Sequence, residues 1–328
     1  MTQDSLRQYL SSTLKNDPAL VFLIEDIAAA CRDISYRVRN AAFAGELGSA
    51  GSVNIQGEAQ KPLDLIANDI VEQSCGQNSK LAALVSEEIE EVTWLKTPEV
   101  GDYLLYFDPL DGSSNLDVDV SVGTIFSVMQ VRDAQSKDVL KQGTEQICAG
   151  YALYGPSTIF VLSFGQDVNG FTCKSGTGTY YLTHPKMTVP ATTSEYAINA
   201  ARRDYWEAPV REYIDDCMLG VNGPRARFMN MRWIASMVAE VHRILVRGGV
   251  FLYPKDSNNA KAGGKLRLMY EANPMAFLIE AAGGKASTGH ARILDIPPTE
   301  PHQRVPVILG SRDEVTLIEE YHQKNDAS

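Results

Sequence analysis

The sequence is poor in the residues that build disulfide frameworks and zinc sites. Its 328 residues include only five cysteines and five histidines. The cysteines are odd in number, widely scattered and without C-x-x-C spacing, which is typical of reduced thiols in a cytoplasmic protein. The histidines form neither an H-x-x-x-H nor an H-x-E pattern, so their spacing does not indicate a zinc site. We therefore expect a cytoplasmic protein with reduced cysteines.

Long apolar runs and an excess of basic residues are missing as well. The N-terminus shows no signal-peptide core, and the longest early apolar run, residues 19–24, is too short to cross a bilayer. The formal net charge of −11 argues against nucleic-acid and membrane partners. A small anionic substrate stays possible, because a bound metal or a local cluster of Arg and Lys can reverse the sign of the local field.

What is present is an ordinary globular composition, 44% apolar and 22% charged. Asp17 and Pro18 predict the start of a long amphipathic helix. Strand-like apolar runs follow, and strands and helices are intermixed in the second half of the chain. This mixture predicts an α/β fold with two subdomains, residues 1–189 and residues 190–328.

Three apolar, strand-like runs each end in carboxylates. These runs are LAALVS, YLLYF and KLRLMY, and the acids that follow them are Glu87, Glu88, Asp108, Asp111 and Glu271. Ligands of α/β folds bind at the carboxyl edge of the sheet, so we expect these acids to lie together. Neighbouring carboxylates raise one another's pKa unless a cation is present, and Mg²⁺ prefers oxygen ligands. The pattern therefore predicts a divalent metal site.

A Gly112-Ser113-Ser114 turn directly follows the second of these acidic strand ends. Glycine allows the backbone to approach a ligand closely, and consecutive N–H groups at a turn form an anion-binding concavity. Metal ligands beside such a turn are typical of enzymes in which a metal-activated water attacks a phosphate monoester. The two features together predict a metal-dependent phosphatase.

Other interpretations of this region remain open from the pattern alone. Asp and Gly are common turn residues, so D-x-x-D-G also fits a turn without a ligand. The D-V-D-V stretch at residues 117–120 is similar to the motif of phosphatases that form an aspartyl phosphate, here on Asp117. A calcium loop beginning at Asp108 is disfavoured, because it needs Gly where Ser113 stands and Glu where Asp119 stands.

Longer motifs narrow the choice, and they follow one another along nearly the whole chain. They are S-E-E at 86–88, D-P-L-D-G-S-S-N at 108–115, S-V-G-T-I-F at 121–126, A-G-Y-A-L-Y-G at 149–155, S-M-V-A-E-V-H-R at 236–243 and K-L-R-L-M-Y-E-A-N-P-M-A at 265–276. Together they resemble class I fructose-1,6-bisphosphatases, within the lithium-sensitive, magnesium-dependent sugar phosphatases. The resemblance implies a layered α-β-α-β-α fold and a cytoplasmic homotetramer. It also implies hydrolysis of fructose 1,6-bisphosphate to fructose 6-phosphate and phosphate, in gluconeogenesis or a related pathway.

The resemblance also implies which residues hold the metal and activate the water. The implied ligands of Mg²⁺, with two or more ions per subunit and Mn²⁺ as a substitute, are Glu87, Asp108, the carbonyl of Leu110, Asp111 and Glu271. The implied catalytic acids are Glu58, Asp64 and Glu88, and Glu58 stands where family members have aspartate. A sugar-phosphate-binding regulator that has kept the fold is a non-enzymatic alternative. It is disfavoured because all of these acids are present.

The implied substrate contacts fall into two groups. The 1-phosphate would be held by Asp111, Gly112, Ser113 and Ser114, and the sugar and distal phosphate by Asn199, Arg202, Met237, Tyr253 and Lys265. Arg232 would reach in from the neighbouring subunit of the homotetramer. Arg202 and Trp233 stand where many members have tyrosine. Activity on a related substrate, such as sedoheptulose 1,7-bisphosphate or a monophosphate, is therefore left open.

Regulation is where the sequence departs most from the family it resembles. Many members are inhibited by AMP, which is held by a Gly-Thr-Gly helix start, a Lys-Tyr pair and an arginine. Here the helix opens with Asp17, the pair has become Asp102 and Tyr103, and the arginine has become Gln130. Two cations are lost and one is replaced by an anion. The sequence therefore predicts an enzyme insensitive to AMP, with any allosteric control exerted by another ligand or absent.

Overall fold

The computed structural model describes residues 4–48, 61–135 and 137–327. The helices are α1 (Leu6–Thr13), α2 (Pro18–Ala44), α3 (Pro62–Cys75), α4 (Ala208–Leu219), α5 (Met237–Arg247), α6 (Asn273–Ala281) and α7 (Arg312–Asp326). The strands are β1 (Leu81–Ser86), β2 (Thr93–Trp94), β3 (Tyr103–Asp111), β4 (Val122–Gln130), β5 (Cys148–Tyr154), β6 (Thr158–Ser163), β7 (Val168–Cys173), β8 (Tyr180–Met187), β9 (Glu195–Ala197), β10 (Asn230–Met231), β11 (Val250–Tyr253), β12 (Leu266–Arg267), β13 (Lys285–Ser287), β14 (Arg304–Val305) and β15 (Val307–Gly310).

Two sheets organise the chain. The larger has eight strands in the order β2-β1-β3-β4-β5-β6-β7-β8, and only the β1–β3 pair is parallel. The smaller has five strands in the order β10-β9-β11-β15-β13. Because β1 and β3 are parallel, their carboxyl ends lie at the same edge of the larger sheet, as the acidic strand ends predict.

The helices fill three layers around the two sheets. Apolar side chains of α1, α2 and α3 pack on one face of the larger sheet. Those of α5 and α6 pack between the sheets, and α4 and α7 cover the outer face of the smaller one. Successive side chains of a strand point to opposite faces of the sheet. In β11, Phe251 therefore points to α5 and α6, while Val250 and Leu252 point to α4 and α7. The α/β class and the α-β-α-β-α layering are confirmed.

The long second helix begins where the sequence predicts. The carboxylate of Asp17 accepts a hydrogen bond from the backbone N–H of Leu20 at 3.1 Å, and Pro18 occupies the first turn. Gly45, in the left-handed conformation with φ of 70°, ends the helix. Within the described residues, no helix combines the length and the apolar character needed to cross a membrane.

Two local predictions are wrong. The run KLRLMY is not one strand, because only Leu266–Arg267 pairs with β14, and Leu268–Ala272 forms a π-helical turn that leads into α6. This run is almost entirely buried, and burial on all sides hides the periodicity that separates strand from helix. The S-x-x-E spacing of Ser311 and Glu314 predicts a capping box at the start of the last helix, yet Ser311 begins α7 without a side-chain cap. Glu314 is instead buried in ion pairs with Arg225 and Arg227.

The division into subdomains at residues 189 and 190 stays a prediction. Strand β8 of the larger sheet ends at Met187, and β9 of the smaller sheet begins at Glu195. The two sheets share the apolar layer of α5 and α6, so the halves are packed closely against each other.

Candidate active site

A cavity of about 280 Å³ opens at the carboxyl end of β3, against the start of α5. It brings together most of the predicted site residues, namely Asp64, Glu87, Glu88, Asp108, Leu110, Asp111, Gly112, Ser113, Ser114, Asn199, Met237, Tyr253, Lys265 and Glu271. Arg202 and Arg232 do not line this cavity. Glu58 lies outside the described residues.

The centre of the cavity is a cluster of three buried carboxylates. Oxygen atoms of Asp108, Asp111 and Glu271 lie within 4.8 Å of one another. The pairing of β3 with β4 is interrupted between Asp108 and Asp111, at the point where Pro109 cannot donate to the ladder. The backbone N–H of Leu110 instead donates to the carboxylate of Asp108 at 2.9 Å. This irregularity helps to place two acids, three residues apart, at one site.

Glu271 reaches the cluster from the π-helical turn before α6. Its carboxylate accepts a hydrogen bond from the backbone N–H of Arg267 at 2.6 Å. The buried guanidinium of Arg267 lies 3.1 Å from Glu87 and 3.9 Å from Glu271. Arg267 therefore provides one internal positive charge to a site with several acids. Arg267 and Lys265 cannot balance the six acids that line the cavity, so full ionisation of these acids would leave a net negative charge there.

The pKa values of these acids reflect this imbalance. Burial, together with repulsion from Glu87, raises the pKa of Glu271 to about 8 and that of Asp108 well above its usual range. Burial also raises the pKa of Asp111 to about 6, although hydrogen bonds from the start of α5 oppose the shift. A divalent cation would remove the cost of ionising these groups. The donor set, which consists of carboxylate oxygens, fits a hard ion such as Mg²⁺ or Mn²⁺.

The acid cluster of the metal-free protein should destabilise the folded state increasingly as the pH rises. Since the native carboxylates have raised pKa values, the folded state keeps protons that the unfolded chain has released. The contribution of these acids to the free energy of unfolding should therefore fall between pH 4 and pH 8, by roughly 5 kcal/mol for Glu271 alone. Thermal unfolding in EDTA at several pH values measures how the free energy of unfolding depends on pH. The Glu271→Gln variant should show a weaker dependence than the wild type. Mg²⁺ should restore more stability at pH 8 than at pH 5.5, and an equal gain at both would contradict the assignment.

The turn after β3 is built to approach a ligand closely. Gly112 has φ of 76°, and a Cβ there would lie 2.9 Å from Cβ of Ser236. The side-chain amide of Asn115 donates to the carbonyl oxygens of Ile234 and Ala235 at 3.1 and 3.2 Å. The turn is thus fixed against the segment before α5, and a larger residue at position 112 would push the two apart.

The start of α5 is directed at the acid cluster. The carboxylate of Asp111 accepts hydrogen bonds from the backbone N–H of Val238 at 2.9 Å and from the hydroxyl of Ser236 at 3.1 Å. These donors, at the positive end of the helix, fix one oxygen of Asp111. Only its other oxygen is then oriented toward a metal or a substrate.

Asp64 lies in the first turn of α3, at the rim of the cluster. It is buried, and its carboxylate accepts a hydrogen bond from the backbone N–H of Lys61 at 2.8 Å. Burial raises the pKa of Asp64 to about 6. A carboxylate with a pKa near neutrality is suited to accept a proton in a reaction.

The far wall of the cavity consists of three aromatic side chains and Asn199. The ring of Trp233 stacks on Phe251 at a centroid distance of 6.0 Å and lies 6.2 Å from Tyr253. The side chain of Asn199 accepts a hydrogen bond from the N–H of Ala201 at 3.2 Å. Trp233 therefore contributes to the wall by packing. It does not offer the phenolic hydroxyl of the tyrosine that many family members have at this position.

The two predicted arginines lie beside the cavity. Arg202 lines a small neighbouring cavity, and its guanidinium pairs with the buried Asp256 at 2.6 Å. Arg232 is half exposed and lies 3.7 Å from Glu195. Neither is in contact with the carboxylate cluster.

Both halves of the chain match profiles of one known protein family. The profile of the N-terminal domain of fructose-1,6-bisphosphatase matches residues 6–185, and that of the C-terminal domain matches residues 189–323. The chain belongs to the fructose-1,6-bisphosphatase family. Among solved structures, the fructose-1,6-bisphosphatase of Leishmania major in its holo form is 37% identical, with a TM-score of 0.93. The match covers 98% of this chain and 100% of the Leishmania chain.

Two further structures of a fructose-1,6-bisphosphatase from Leishmania major are also similar. The T-state structure is 35% identical with a TM-score of 0.85, covering 98% of this chain and 99% of that one. The apo structure is 35% identical with a TM-score of 0.84, covering 98% and 100%. The predicted family membership and fold are therefore confirmed.

Sequence reasoning missed two residues at this fructose-1,6-bisphosphatase site. Arg267 alternates with leucines, which is compatible with a solvated strand face, but its side chain is buried between two acids. Asp256 belongs to no motif, yet it pairs with Arg202 and accepts two backbone hydrogen bonds in the loop after β11. Charged residues buried by pairing give no periodic signal. Only the fold reveals them.

Proposed function

We propose that this chain catalyses the Mg²⁺-dependent hydrolysis of the 1-phosphate of fructose 1,6-bisphosphate, which yields fructose 6-phosphate and inorganic phosphate. The observation that carries the proposal is the cluster of Asp108, Asp111 and Glu271, in one cavity with the Gly112 turn. The family match over both domains supports the assignment of fructose 1,6-bisphosphate as the substrate. The family resemblance also implies a cytoplasmic reaction, within gluconeogenesis or a related sugar-phosphate pathway.

The proposed metal ligands are Glu87, Asp108, the carbonyl of Leu110, Asp111 and Glu271. When bound, two or more Mg²⁺ ions, or Mn²⁺ in their place, would supply Lewis acidity for the attacking water and neutralise phosphate charge. Arg267 already compensates part of the acidic charge through Glu87 and Glu271. A cation entering the cluster would release protons, because the buried acids hold them in its absence.

The protein groups that we assign to proton transfer are Asp64 and Glu88, with Glu58 as a third member. The raised pKa of Asp64 makes it the strongest candidate to accept a proton from the attacking water. In the reaction, the water oxygen forms a bond to phosphorus, and the bond between phosphorus and the C1 oxygen breaks. The C1 oxygen of the departing fructose 6-phosphate takes up one proton, which balances the proton that the attacking water gives to Asp64.

Substrate orientation is assigned to the two ends of the cavity. The backbone N–H groups of the turn at residues 112–114 would hold the 1-phosphate. The sugar and the distal phosphate would contact Asn199, Tyr253, Lys265 and the backbone of Met237, all of which line the cavity. We assign Arg202 to the distal phosphate as well, which would require its guanidinium to turn from Asp256.

Phosphate release from three substrates tests the function. Fructose 1,6-bisphosphate should be hydrolysed with the highest kcat/KM, ahead of sedoheptulose 1,7-bisphosphate and fructose 1-phosphate. A monophosphate lacks the second anchoring group, so we expect it to lose about 10- to 100-fold in kcat/KM. EDTA should abolish release, and added Mg²⁺ should restore it. Full activity in EDTA would end the metal assignment, and no release with any substrate would favour a binding regulator.

We propose further that the active form is a homotetramer in which Arg232 completes the site of a neighbouring subunit. Exposed apolar side chains precede this position in the chain, and Phe228 and Met231 are 69% and 45% exposed. Met218 and Val221, at the end of α4 and just after it, are 70% and 66% exposed. Large apolar side chains that are exposed close together mark protein interfaces. The half-exposed Arg232 directly follows this segment.

Arg232→Ala should raise the KM for fructose 1,6-bisphosphate about 10- to 150-fold, because it removes a charge-assisted phosphate contact. The matched control is Arg247→Ala. Arg247 also pairs with Glu195, at 3.1 Å, and is equally exposed, but it has no assigned contact with substrate. Hybrids of Arg232→Ala chains with Asp111→Asn chains should recover part of the activity. No recovery in verified hybrids would contradict the shared site.

A further inference from the structure

A second group of metal-ligating side chains lies away from the active site. Ligand atoms of Glu207, His290 and His322 are within 4.8 Å of one another. None of the three residues lines the active-site cavity. They come from three separate elements, namely the N-cap of α4, the loop after β13 and the last helix, α7.

The most informative of these residues is His322. Its side chain is 2% exposed, and its Nε2 has no hydrogen-bond partner among the described residues. A buried polar atom without a partner costs on the order of 1–3 kcal/mol. Such an atom indicates that a group bound at this place completes the site.

The loop after β13 lies close to the ring of His322. Gly289 packs against the ring of His322, and a Cβ there would lie only 2.7 Å from Nε2. Glycine, with φ of 100°, allows this close approach, which brings His290 of the same loop next to His322. The centroids of the His290 and His322 rings are 4.7 Å apart at an interplanar angle of 71°, so the edge of one ring meets the face of the other.

The electrostatics favour a cation that takes neutral imidazole ligands. Burial and the nearby His290 lower the pKa of His322 to about 4, so its ring is uncharged at neutral pH. Asp326 lies 3.3 Å from Nδ1 of His290. A proton held on that nitrogen leaves Nε2 of His290 as the ligand atom, the carboxylate–histidine arrangement common at metal centres. Besides Asp326, the carboxylates of Glu207 and Glu319 face this group.

We propose that Glu207, His290 and His322 bind a borderline transition-metal cation, with Zn²⁺ the best fit, at a structural site separate from the active site. Imidazole with carboxylate suits zinc rather than Mg²⁺. Ligand bonds of about 2.0–2.2 Å in a tetrahedron hold donor atoms roughly 3.4 Å apart. His290 and Glu207 are not buried, so small rotations of their side chains would bring the ligand atoms, which now lie within 4.8 Å of one another, to this distance. The ion would tie α7 to α4 and to the loop after β13.

Zinc binding to the full-length protein tests this site. Saturating Mg²⁺ first fills the active site, and equilibrium dialysis with Zn²⁺ then counts the remaining sites by metal analysis. The wild-type protein should bind one Zn²⁺ per chain under these conditions. His290→Gln, His322→Gln and Glu207→Gln should each lose it or weaken it at least about 100-fold, while the control His184→Gln should bind as the wild type does. Equal stoichiometry in all variants, or no bound zinc in the wild type, would overturn the proposal.

Two further readouts separate ligation from a folding defect. Co²⁺ in place of Zn²⁺ should give a visible absorption band typical of tetrahedral nitrogen and oxygen ligation, and the exposed His290→Gln should remove it. Zn²⁺ at 100 times its dissociation constant should raise the Tm of the wild type by roughly 5 °C and leave that of His290→Gln unchanged. A Tm gain that is the same in both proteins would contradict the site even if His322→Gln failed to fold.

Discussion

Replacing Asp111 by asparagine should lower kcat for fructose 1,6-bisphosphate by about three orders of magnitude, which corresponds to about 4 kcal/mol. Asp111 has one oxygen engaged by the start of α5, and the other is available to the cluster with Asp108 and Glu271. An amide keeps the size of the side chain but removes the negative charge that a cation requires. Rates measured across a Mg²⁺ titration distinguish weaker metal binding, which excess Mg²⁺ relieves, from slower chemistry.

The matched control for this variant is Asp117→Asn. Asp117 is six residues away, its side chain is 47% exposed, and it pairs with Lys61 at 2.6 Å. We expect it to keep activity within about twofold, since a surface ion pair contributes little. An aspartyl phosphatase that used Asp117 as nucleophile would show the reverse pattern, with Asp117→Asn inactive and Asp111→Asn active. That result would contradict the mechanism proposed above.

Insensitivity to AMP is the second large effect that we expect. The carboxylate of Asp17 occupies the start of α2 and accepts a hydrogen bond from the hydroxyl of Tyr103 at 2.6 Å. Asp102 is buried between Lys80 and Lys96, so these two lysines already have an acidic partner. A nucleotide phosphate at this place would meet acids where many family members offer cations.

The loss of two cationic contacts should weaken AMP binding by about two to four orders of magnitude. Gln130 adds no charge, and its amide donates to the carbonyl of Gly101 at 3.1 Å. AMP titrated against activity at saturating Mg²⁺ measures the effect, and inorganic phosphate serves as the positive control because it is a product. Cooperative inhibition at micromolar AMP would contradict the prediction. It would point to a nearby cation such as Arg132, which is largely exposed and lies 3.5 Å from Glu145.

The carboxylate cluster is the part of the site that the sequence predicts best. Asp108 and Asp111 directly follow apolar residues in β3, all of whose residues are buried, so the burial of both acids follows from the amino-acid pattern alone. The pattern places Glu271 at the same site but on the wrong element, because an apolar buried run fits a strand and a helix equally well. The charge on Arg267 cannot be located in this way, since its two acidic partners come from different elements of the chain.

The histidine group shows the limit of sequence patterns more clearly. Spacing rules for zinc sites describe ligands on one helix or one loop. Glu207, His290 and His322 lie on three elements that only the packing of α7 against α4 and β13 brings together. The spacing therefore indicates no zinc site. Sequence separation carries no information about the distance between these three residues in space.

The π-helical turn at Leu268–Ala272 makes the positions of Lys265 and Arg267 relative to Glu271 depend on the number of residues in the turn rather than on their identity. A wide turn holds one residue more than a regular helical turn of 3.6 residues. Deleting one residue from this turn would rotate the segment before the turn by about 100° about the axis of α6. Arg267 and Lys265 would then leave the cavity while Glu271 stayed. Apolar substitutions within the turn should thus be tolerated far better than any change in its length. The number of residues between β12 and α6 therefore determines whether the active site is assembled.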